Sequence, residues 1–457
     1  MIINQIKSLF QSDEDVFVKA NTFYSFSPVK FFLLILGACF ILFCRRPEAL
    51  LEPQLFAEDG AIFFKDAYEL SFWSSIFKTY AGYFHVIPRI LAEFASLFPV
   101  RYVPVLYNSF SLMIAAVSCC WIWLPHFRHL IRSDLLRLLL VLMLLLSPNQ
   151  EALAKLSYIQ WYILLWLTLC CFMLPIRNRL VLVSLTVVII LSVWTSAISF
   201  ILLPVWMLRL CFVEPFQKSM VAAILTSSLA LLAAAYFINS TADSTGEGIT
   251  NIQLLFNHMM KGLFHAILYK VICSGILGPK ITFSIFTEGW KYIYAASLLL
   301  IAIIFIFYSF TKKRMLAFML INIYIATASV FFFIFRTDFV LSFIQGEGVL
   351  LHDRYFFLGT SLFILMLFTI ASHYFQESTI AKWKGILPGF ILLLWASFYV
   401  TDFQMQWTPI NFGWPHYARQ IETDENIAAL QGQTYNLKIP INPYPWTIDL
   451  RIGPRER

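Results

Sequence analysis

The chain has 457 residues, of which 60% are hydrophobic and 13% are charged, and its mean hydropathy is +0.74. Because a soluble domain carries about 25% charged residues, this composition excludes an ordinary soluble globular protein. The formal net charge of +7 does not indicate a nucleic-acid partner, since the basic residues are scattered through short loops and form no stripe.

Apolar segments recur along the whole chain, each about as long as the 17–25 residues that a helix needs to cross a bilayer. The first predicted span covers residues 31–44. The later spans centre on Ser111, Leu140, Trp166, Val188, Leu203, Leu229, Ile301, Ile321, Phe363 and Leu393. The predicted fold class is therefore all-α, a polytopic membrane protein with about eleven transmembrane helices.

The connections between the predicted spans fall into two sets. Alternate short loops, such as IRNR and TKKR, contain Lys or Arg, which marks the cytoplasmic side. Residues 1–30 are then a cytoplasmic segment, and residues 31–400 form the transmembrane domain. The loop 45–101, the segment 239–291 and the short tail 401–457 are predicted to lie outside.

The first external loop contains the motif AEDG. Either Glu58 or Asp59 can accept a proton from a hydroxyl group or hold a metal ion, and Gly60 would let the backbone approach a ligand closely. An ordinary helix cap is the alternative for one acid. The apolar run after this motif predicts a helix lying on the membrane, with Lys65 and Asp66 on its wet side.

The same loop contains GYFHVIPR. Arg89 suits a phosphate, because a guanidinium group donates two parallel hydrogen bonds, and His85 can hydrogen-bond a phosphate or a sugar hydroxyl. The alternative is an interfacial aromatic anchor followed by a helix that Pro88 starts.

Further candidates stand at the outer ends of later spans. Glu151 ends one span and Trp161 opens the next, where its indole either stacks on a sugar or belongs to the aromatic belt. The segment 251–272 predicts an amphipathic interfacial helix. Its His258 and His265 lack a third ligand, so we predict no metal site there.

The external loop between the spans at Ile321 and Phe363 begins near Arg336 and ends at Arg354 and Tyr355. Arg354 stands at the depth of a lipid-linked phosphate, and the alternative is a snorkelling side chain or a local pair with Asp353. The tail, which is rich in Pro and Trp, is expected to cover the external site. Its aromatic residues Trp414, Tyr444 and Trp446 are expected to pack over that site or to stack on sugars.

The combination of FAEDG, AGYFHVIPR, an acidic loop leading to QWY, and RYFFLG resembles the GT-C glycosyltransferases. Within them, it is similar to the serotype-converting O-antigen glucosyltransferases of bacteria and phages, and the likeness in layout covers nearly the whole chain. The resemblance implies a multi-pass protein of the bacterial inner membrane, with a cytoplasmic N-terminus and a periplasmic active site.

The resemblance also implies an inverting hexosyltransferase that moves a sugar, glucose by expectation, from undecaprenyl phosphate to the O-antigen glycan of lipopolysaccharide. Glu58 or Asp59 would be the general base, and Arg89, Arg336 or Arg354 would hold the leaving phosphate. The family's acid pair is often Asp-Glu, whereas in this sequence it is Glu-Asp, which leaves the choice of base and metal dependence open. No cofactor is expected to be required.

Three other classes compete with this interpretation. An O-antigen polymerase or ligase also has large external loops, but we expect its main loop late in the chain. A lipid or glycan transporter needs polar groups near the membrane midplane, where the predicted spans are nearly free of ionisable residues. A membrane O-acyltransferase would need a histidine within or beside the spans.

Overall fold

A computed structural model describes residues 9–10, 27–147, 149, 151–176, 178–213, 215–241, 263, 266–278, 280–282, 313–334, 353–377, 403 and 409–453. Within these residues the chain is mostly helical, with one two-stranded sheet. The predicted spans centred on Ile301 and Leu393, the candidate Arg336, and His258 and His265 lie outside the described residues.

The regular elements are numbered in chain order. The α-helices are α1 (Pro28–Arg45), α2 (Glu48–Leu51), α3 (Lys65–Glu69), α4 (Phe72–Ile76), α5 (Val86–Ala95), α6 (Val103–Cys120), α7 (Asp134–Leu146), α8 (Ile159–Phe172), α9 (Arg179–Val193), α10 (Leu203–Phe212), α11 (Pro215–Thr241), α12 (Ser274–Leu277), α13 (Lys313–Ile334), α14 (Asp353–Glu377) and α15 (Trp414–Gln431). Two π-helices cover Asp59–Phe64 and Ala266–Cys273, and the strands are β1 (Tyr435–Pro440) and β2 (Thr447–Ile452). Short 3₁₀ turns cover Val100–Tyr102, Trp121–Trp123, Pro125–Phe127, Leu156–Tyr158 and Ala197–Leu202.

Several helices have the length and composition of membrane spans. Four in the described part are long and apolar enough to cross a bilayer, namely Pro28–Arg45, Val100–Trp123, Gln217–Ala234 and Asp353–His373. Five further apolar segments are shorter, namely Leu156–Phe172, Arg179–Val193, Ile198–Phe212, Ala266–Leu277 and Met315–Phe331. The structure thus supports a helical membrane protein, and the count of about eleven spans stays a prediction.

Helix α8 lies at the centre of the bundle. Its sequence, IQWYILLWLTLCCF, is apolar on all sides, which is typical of a helix with no solvent-facing stripe. All of residues 161–172 are buried, and the helix packs against α6 and α14. The N-terminal end of α8 is therefore a fixed point toward which the surrounding loops converge.

The π-helix Ala266–Cys273 departs from the prediction of an interfacial helix. Its Lys270 is buried and donates a hydrogen bond to Asp353 at 2.7 Å. The backbone oxygen of Lys270 accepts a hydrogen bond from Thr360 of α14 at 3.1 Å. This segment therefore packs within the bundle, where Lys270, its one described basic residue, pairs with Asp353.

The tail departs from the predicted all-α class, because β1 and β2 form an antiparallel pair in register from Tyr435↔Ile452 to Pro440↔Thr447. Both strands alternate apolar and polar residues with the period of two that a half-buried strand requires. In β2, Ile448, Leu450 and Ile452 are buried. The alternation of these buried residues with polar ones is typical of a strand, although the tail's content of Pro and Trp indicates irregular packing.

The tail packs against the first external loop. Asn442 accepts a hydrogen bond from the backbone N–H of Ala57, and its own N–H donates to the oxygen of Leu55 at 3.3 Å. Trp414 is buried and its indole N–H donates to the oxygen of Val100 at 3.1 Å. Such contacts require the loop and the tail to lie on the same side of any membrane that the helices cross.

Gly60 is in contact with the tail. A Cβ atom at Gly60 would lie 2.8 Å from Ile441 Cδ1 and 3.0 Å from Ile448 Cδ1. The expectation that Gly60 makes room for a ligand is therefore wrong, since these two isoleucines occupy that space. Tyr444 is exposed and Trp446 is half-buried, so of the three tail aromatics only Trp414 is fully packed.

We expect Gly60→Val to loosen the tail from the first loop, because overpacking costs about 1–3 kcal/mol. Gly37→Val is the matched control, since a Cβ atom at Gly37 meets nothing within 4 Å. The measurements are the melting temperature in detergent and the rate at which protease cleaves the tail in membranes. Equal effects of the two substitutions would contradict the close contact at Gly60.

Candidate active site

The two adjacent acids of the first loop have different environments. Asp59 is buried, whereas Glu58 is half-buried. The Asp59 carboxylate accepts hydrogen bonds from the backbone N–H groups of Leu156, 3.0 Å from Oδ2, and Ser157, 2.6 Å from Oδ1. Asp59 is thus a helix cap, but it does not cap its own helix. The N–H groups that it binds belong to the turn that leads into α8, and Leu156 lies 97 residues further along the chain.

The protonation of Asp59 reflects opposing effects. Burial raises its pKa to about 7, while the hydrogen bonds from Ser157 and Leu156 act to lower it and the charge of Glu58 raises it. A carboxylate bonded to two backbone N–H groups near a helix N-terminus is well oriented. Asp59 therefore fixes the loop against the turn that leads into α8.

Glu58 has bonding capacity that the described residues do not use. Its Oε2 atom is buried and has no hydrogen-bond partner among them. Its charge acts on Asp59 and on the hydroxyl group of Tyr158, whose ring packs edge-on against Phe56 at 5.8 Å. An ionised carboxylate with an unused oxygen can accept a proton or a hydrogen bond from a ligand.

Arg354 reaches this region from the first turn of α14. It forms an ion pair with Glu151, so the predicted alternative of a local pair with Asp353 is wrong. Its guanidinium carbon lies 4.3 Å from the ring centre of Tyr158 and 4.7 Å from that of Tyr355, and Nη2 donates to the Tyr355 hydroxyl at 3.1 Å. The two aromatic rings hold the guanidinium group in place.

Two further basic residues lie near the acids and were not predicted. Lys155 is buried, and its ammonium nitrogen lies 3.5 Å from the ring centre of Phe56. Burial lowers its pKa well below the usual value, and Arg46 acts in the same direction. Arg46 is also buried and donates to the oxygen of Leu153. A lysine in a short loop that is predicted to be external runs against the positive-inside rule, and this signal would have identified Lys155.

Trp161 supports the site from below. It is only 4% exposed, and its ring packs edge-on against Tyr355 at 5.0 Å. The aromatic-belt interpretation of Trp161 is therefore wrong, because its ring is buried against Tyr355. The preceding Gln160 accepts a hydrogen bond from the Tyr83 hydroxyl at 2.9 Å, which links the GYFH motif to α8.

Arg89 and His85 have other functions than the predicted phosphate binding. Arg89 is fully buried and its Nη1 donates to Asp66 at 2.9 Å, and Asp66 also accepts from Lys78 at 2.6 Å. Asp66 is thus inside the loop and not on a wet face. His85 is buried in a left-handed conformation and packs on Tyr83, and burial lowers its pKa to about 3. A neutral histidine supplies no positive charge for a phosphate.

The described residues therefore place six charged side chains around the entry to α8. They are the acids Glu58, Asp59 and Glu151 and the bases Arg46, Lys155 and Arg354. Among the described residues there is no group of three or more His, Cys, Asp or Glu side chains that could hold a metal ion. The arrangement offers an acid with an unused oxygen in the same charged cluster as Arg354, at the end of the bundle where α8 begins.

We expect the melting temperature of the wild type to fall, relative to that of Asp59→Asn, as the pH rises from about 4 to about 7, whereas buried His85, with its pKa lowered to about 3, acts in the opposite direction in both proteins. Folded Asp59, with a pKa of about 7, binds a proton that the unfolded chain, with the ordinary value of 3.8, has already lost in that range. Asp59→Asn removes the Asp59 titration, so its melting temperature should rise relative to that of the wild type over this range, whereas the curve of Asp449→Asn, at an exposed acid of β2, should run parallel to that of the wild type. Parallel curves for wild type and Asp59→Asn would contradict the raised pKa.

Comparison of the chain with protein-family models, with curated proteins and with solved structures finds no match. The likeness to the GT-C glycosyltransferases therefore rests on the short motifs of the sequence. Those motifs and the geometry of the charged cluster are the basis on which a function can be assigned.

Proposed function

We propose that the protein is an inverting glycosyltransferase of the GT-C type. It transfers a sugar, glucose by first expectation, from undecaprenyl phosphate to the O-antigen glycan of lipopolysaccharide on the periplasmic side of the bacterial inner membrane. The observation that carries the proposal is the half-buried Glu58 carboxylate, with one unused oxygen, in the same charged cluster as Arg354. Four long apolar helices are consistent with a membrane-bound enzyme.

The chemistry requires few groups. A polyprenyl phosphate stays in the bilayer, so its enzyme must present polar side chains at the membrane surface. The phosphate is already a good leaving group. The protein therefore has to remove a proton from the acceptor hydroxyl, hold the two substrates in line and neutralise the phosphate charge.

Glu58 is the general base in this proposal, because both oxygens of Asp59 already accept backbone hydrogen bonds. The acceptor hydroxyl gives its proton to Glu58, and its oxygen forms a bond to the anomeric carbon of the sugar. The bond from that carbon to the phosphate oxygen breaks with its electron pair, and polyprenyl phosphate leaves. Attack from the side opposite the phosphate inverts the anomeric configuration.

Arg354 binds the phosphate in this proposal. It is held between Tyr158 and Tyr355, and 14% of its side chain remains exposed. A guanidinium group with a fixed plane suits the oxygen geometry of a phosphate. Arg46 adds positive charge to the same region, since it lies within electrostatic range of Asp59 and of Lys155.

We expect Glu58→Gln to reduce sugar transfer by roughly a hundredfold to ten-thousandfold, as for loss of a general base. Asp59→Asn keeps one acceptor oxygen for the N–H groups of Leu156 and Ser157. We expect it to reduce sugar transfer less than Glu58→Gln does, and to lower the stability of the protein more. Membranes with each variant receive polyprenyl-phosphate-glucose and a lipopolysaccharide acceptor, and label in the glycan is counted. Glu52→Gln, an exposed acid of the same loop, is the control, and full activity of Glu58→Gln would reject the proposed base.

We expect Arg354→Gln to raise the KM for the lipid-linked donor about tenfold or more, because a charged hydrogen bond to phosphate is lost. Arg101→Gln is the matched control, since Arg101 is an exposed arginine of the first external loop. The same transfer assay at varied donor concentration gives KM and kcat separately. An unchanged donor KM in Arg354→Gln would remove Arg354 from the phosphate site.

A further inference from the structure

The ion pair between Arg354 and Glu151 joins two parts of the chain that are 203 residues apart. The guanidinium group of Arg354 does not depend on this pair for its position. Tyr158 and Tyr355 hold it by ring contacts, and the Tyr355 hydroxyl accepts a hydrogen bond from Nη2 at 3.1 Å. Glu151 therefore pairs with a guanidinium group whose orientation Tyr158 and Tyr355 already fix.

Glu151 differs from the acid in the buried pair of the first loop. Both oxygens of Asp66 have basic partners, Lys78 on Oδ1 and Arg89 on Oδ2, and only 5% of its side chain is exposed. The side chain of Glu151 is 27% exposed, and its Oε2 has no hydrogen-bond partner in the described part of the chain. Partners fix both carboxylate oxygens of Asp66, whereas only one oxygen of Glu151 has a partner among the residues that the structure describes. The Glu151 side chain can therefore rotate away from Arg354.

Charge makes Glu151 incompatible with a bound phosphate. The cluster already contains the acids Glu58, Asp59 and Glu151, and Glu151 is the one that is paired with Arg354. A phosphate at Arg354 would stand beside the Glu151 carboxylate, and like charges at such a distance repel each other. Binding of the phosphate must therefore break the pair between Glu151 and Arg354.

We propose that Glu151 is a placeholder anion, which neutralises Arg354 before the donor binds and which the phosphate of the lipid-linked donor displaces. This inference rests on the proposed function, since it takes the donor to be a polyprenyl phosphate ester. The exchange also aids turnover. The leaving polyprenyl phosphate gains negative charge when its bond to the sugar breaks, and Glu151 competes with it for Arg354 and promotes its release.

The test is binding of polyprenyl phosphate alone, without sugar or acceptor, to the purified full-length protein in nanodiscs of phosphatidylcholine. Glu151→Gln should bind it about tenfold more tightly than wild type, because no carboxylate has to be displaced. Glu151→Ala removes the same charge without adding an amide and should shift the affinity in the same direction. Arg354→Gln should weaken binding, which shows that the probe occupies this site.

Asp134→Asn is the matched control, because it also removes one acid paired with arginines, Arg128 and Arg137, at the opposite end of the bundle by the predicted topology. It changes the net charge by the same amount and should leave the affinity unchanged. Weaker or unchanged binding in both Glu151 variants would overturn the inference. Weaker binding would place Glu151 in the phosphate site, and unchanged binding would remove it from that site. Absence of binding in wild type and all variants would instead reject the proposed donor class itself.

Discussion

A buried carboxylate that caps the backbone of a distant helix is the constraint on which the site depends. Removing a carboxylate from water is costly unless hydrogen bonds replace its hydration, and the N–H groups of Leu156 and Ser157 replace it for Asp59. The contact fixes the first loop to the entry of α8. Because α8 is buried on all sides, the position of Glu58 is set relative to the centre of the bundle.

The remaining parts of the site are arranged around that fixed point. Helix α14 packs along α8 and brings Arg354 and Tyr355 to the same height. The turn before α8 supplies Glu151 and Lys155, and the buried pair of Arg89 with Asp66 stiffens the loop from within. Three separate stretches of the chain thus contribute charge to one volume, although each stretch alone carries only a few charged side chains there.

The sequence predicts the parts of this site that follow from membrane topology. Glu58 stands in the first predicted external loop, and Glu151 and Arg354 stand at span ends on the same predicted side, but the sequence alone does not predict which of these side chains converge. The sequence does not predict the partner of Asp59, because backbone N–H groups are present at every position and leave no pattern in side chains. Arg89 was expected at the phosphate, but it pairs with Asp66, which lies 23 residues earlier and matches no helical or strand period.

The contact between the tail and the first loop has a consequence for biosynthesis. The backbone groups of Leu55 and Ala57 find their hydrogen-bond partner at Asn442, and Glu69 accepts from the N–H of Arg451, 382 residues further along. By the predicted topology, the loop crosses the membrane before these partners are translated. The backbone around the acid pair therefore gains these hydrogen bonds only after the tail has been synthesised, so a nascent or truncated chain would hold the loop without them.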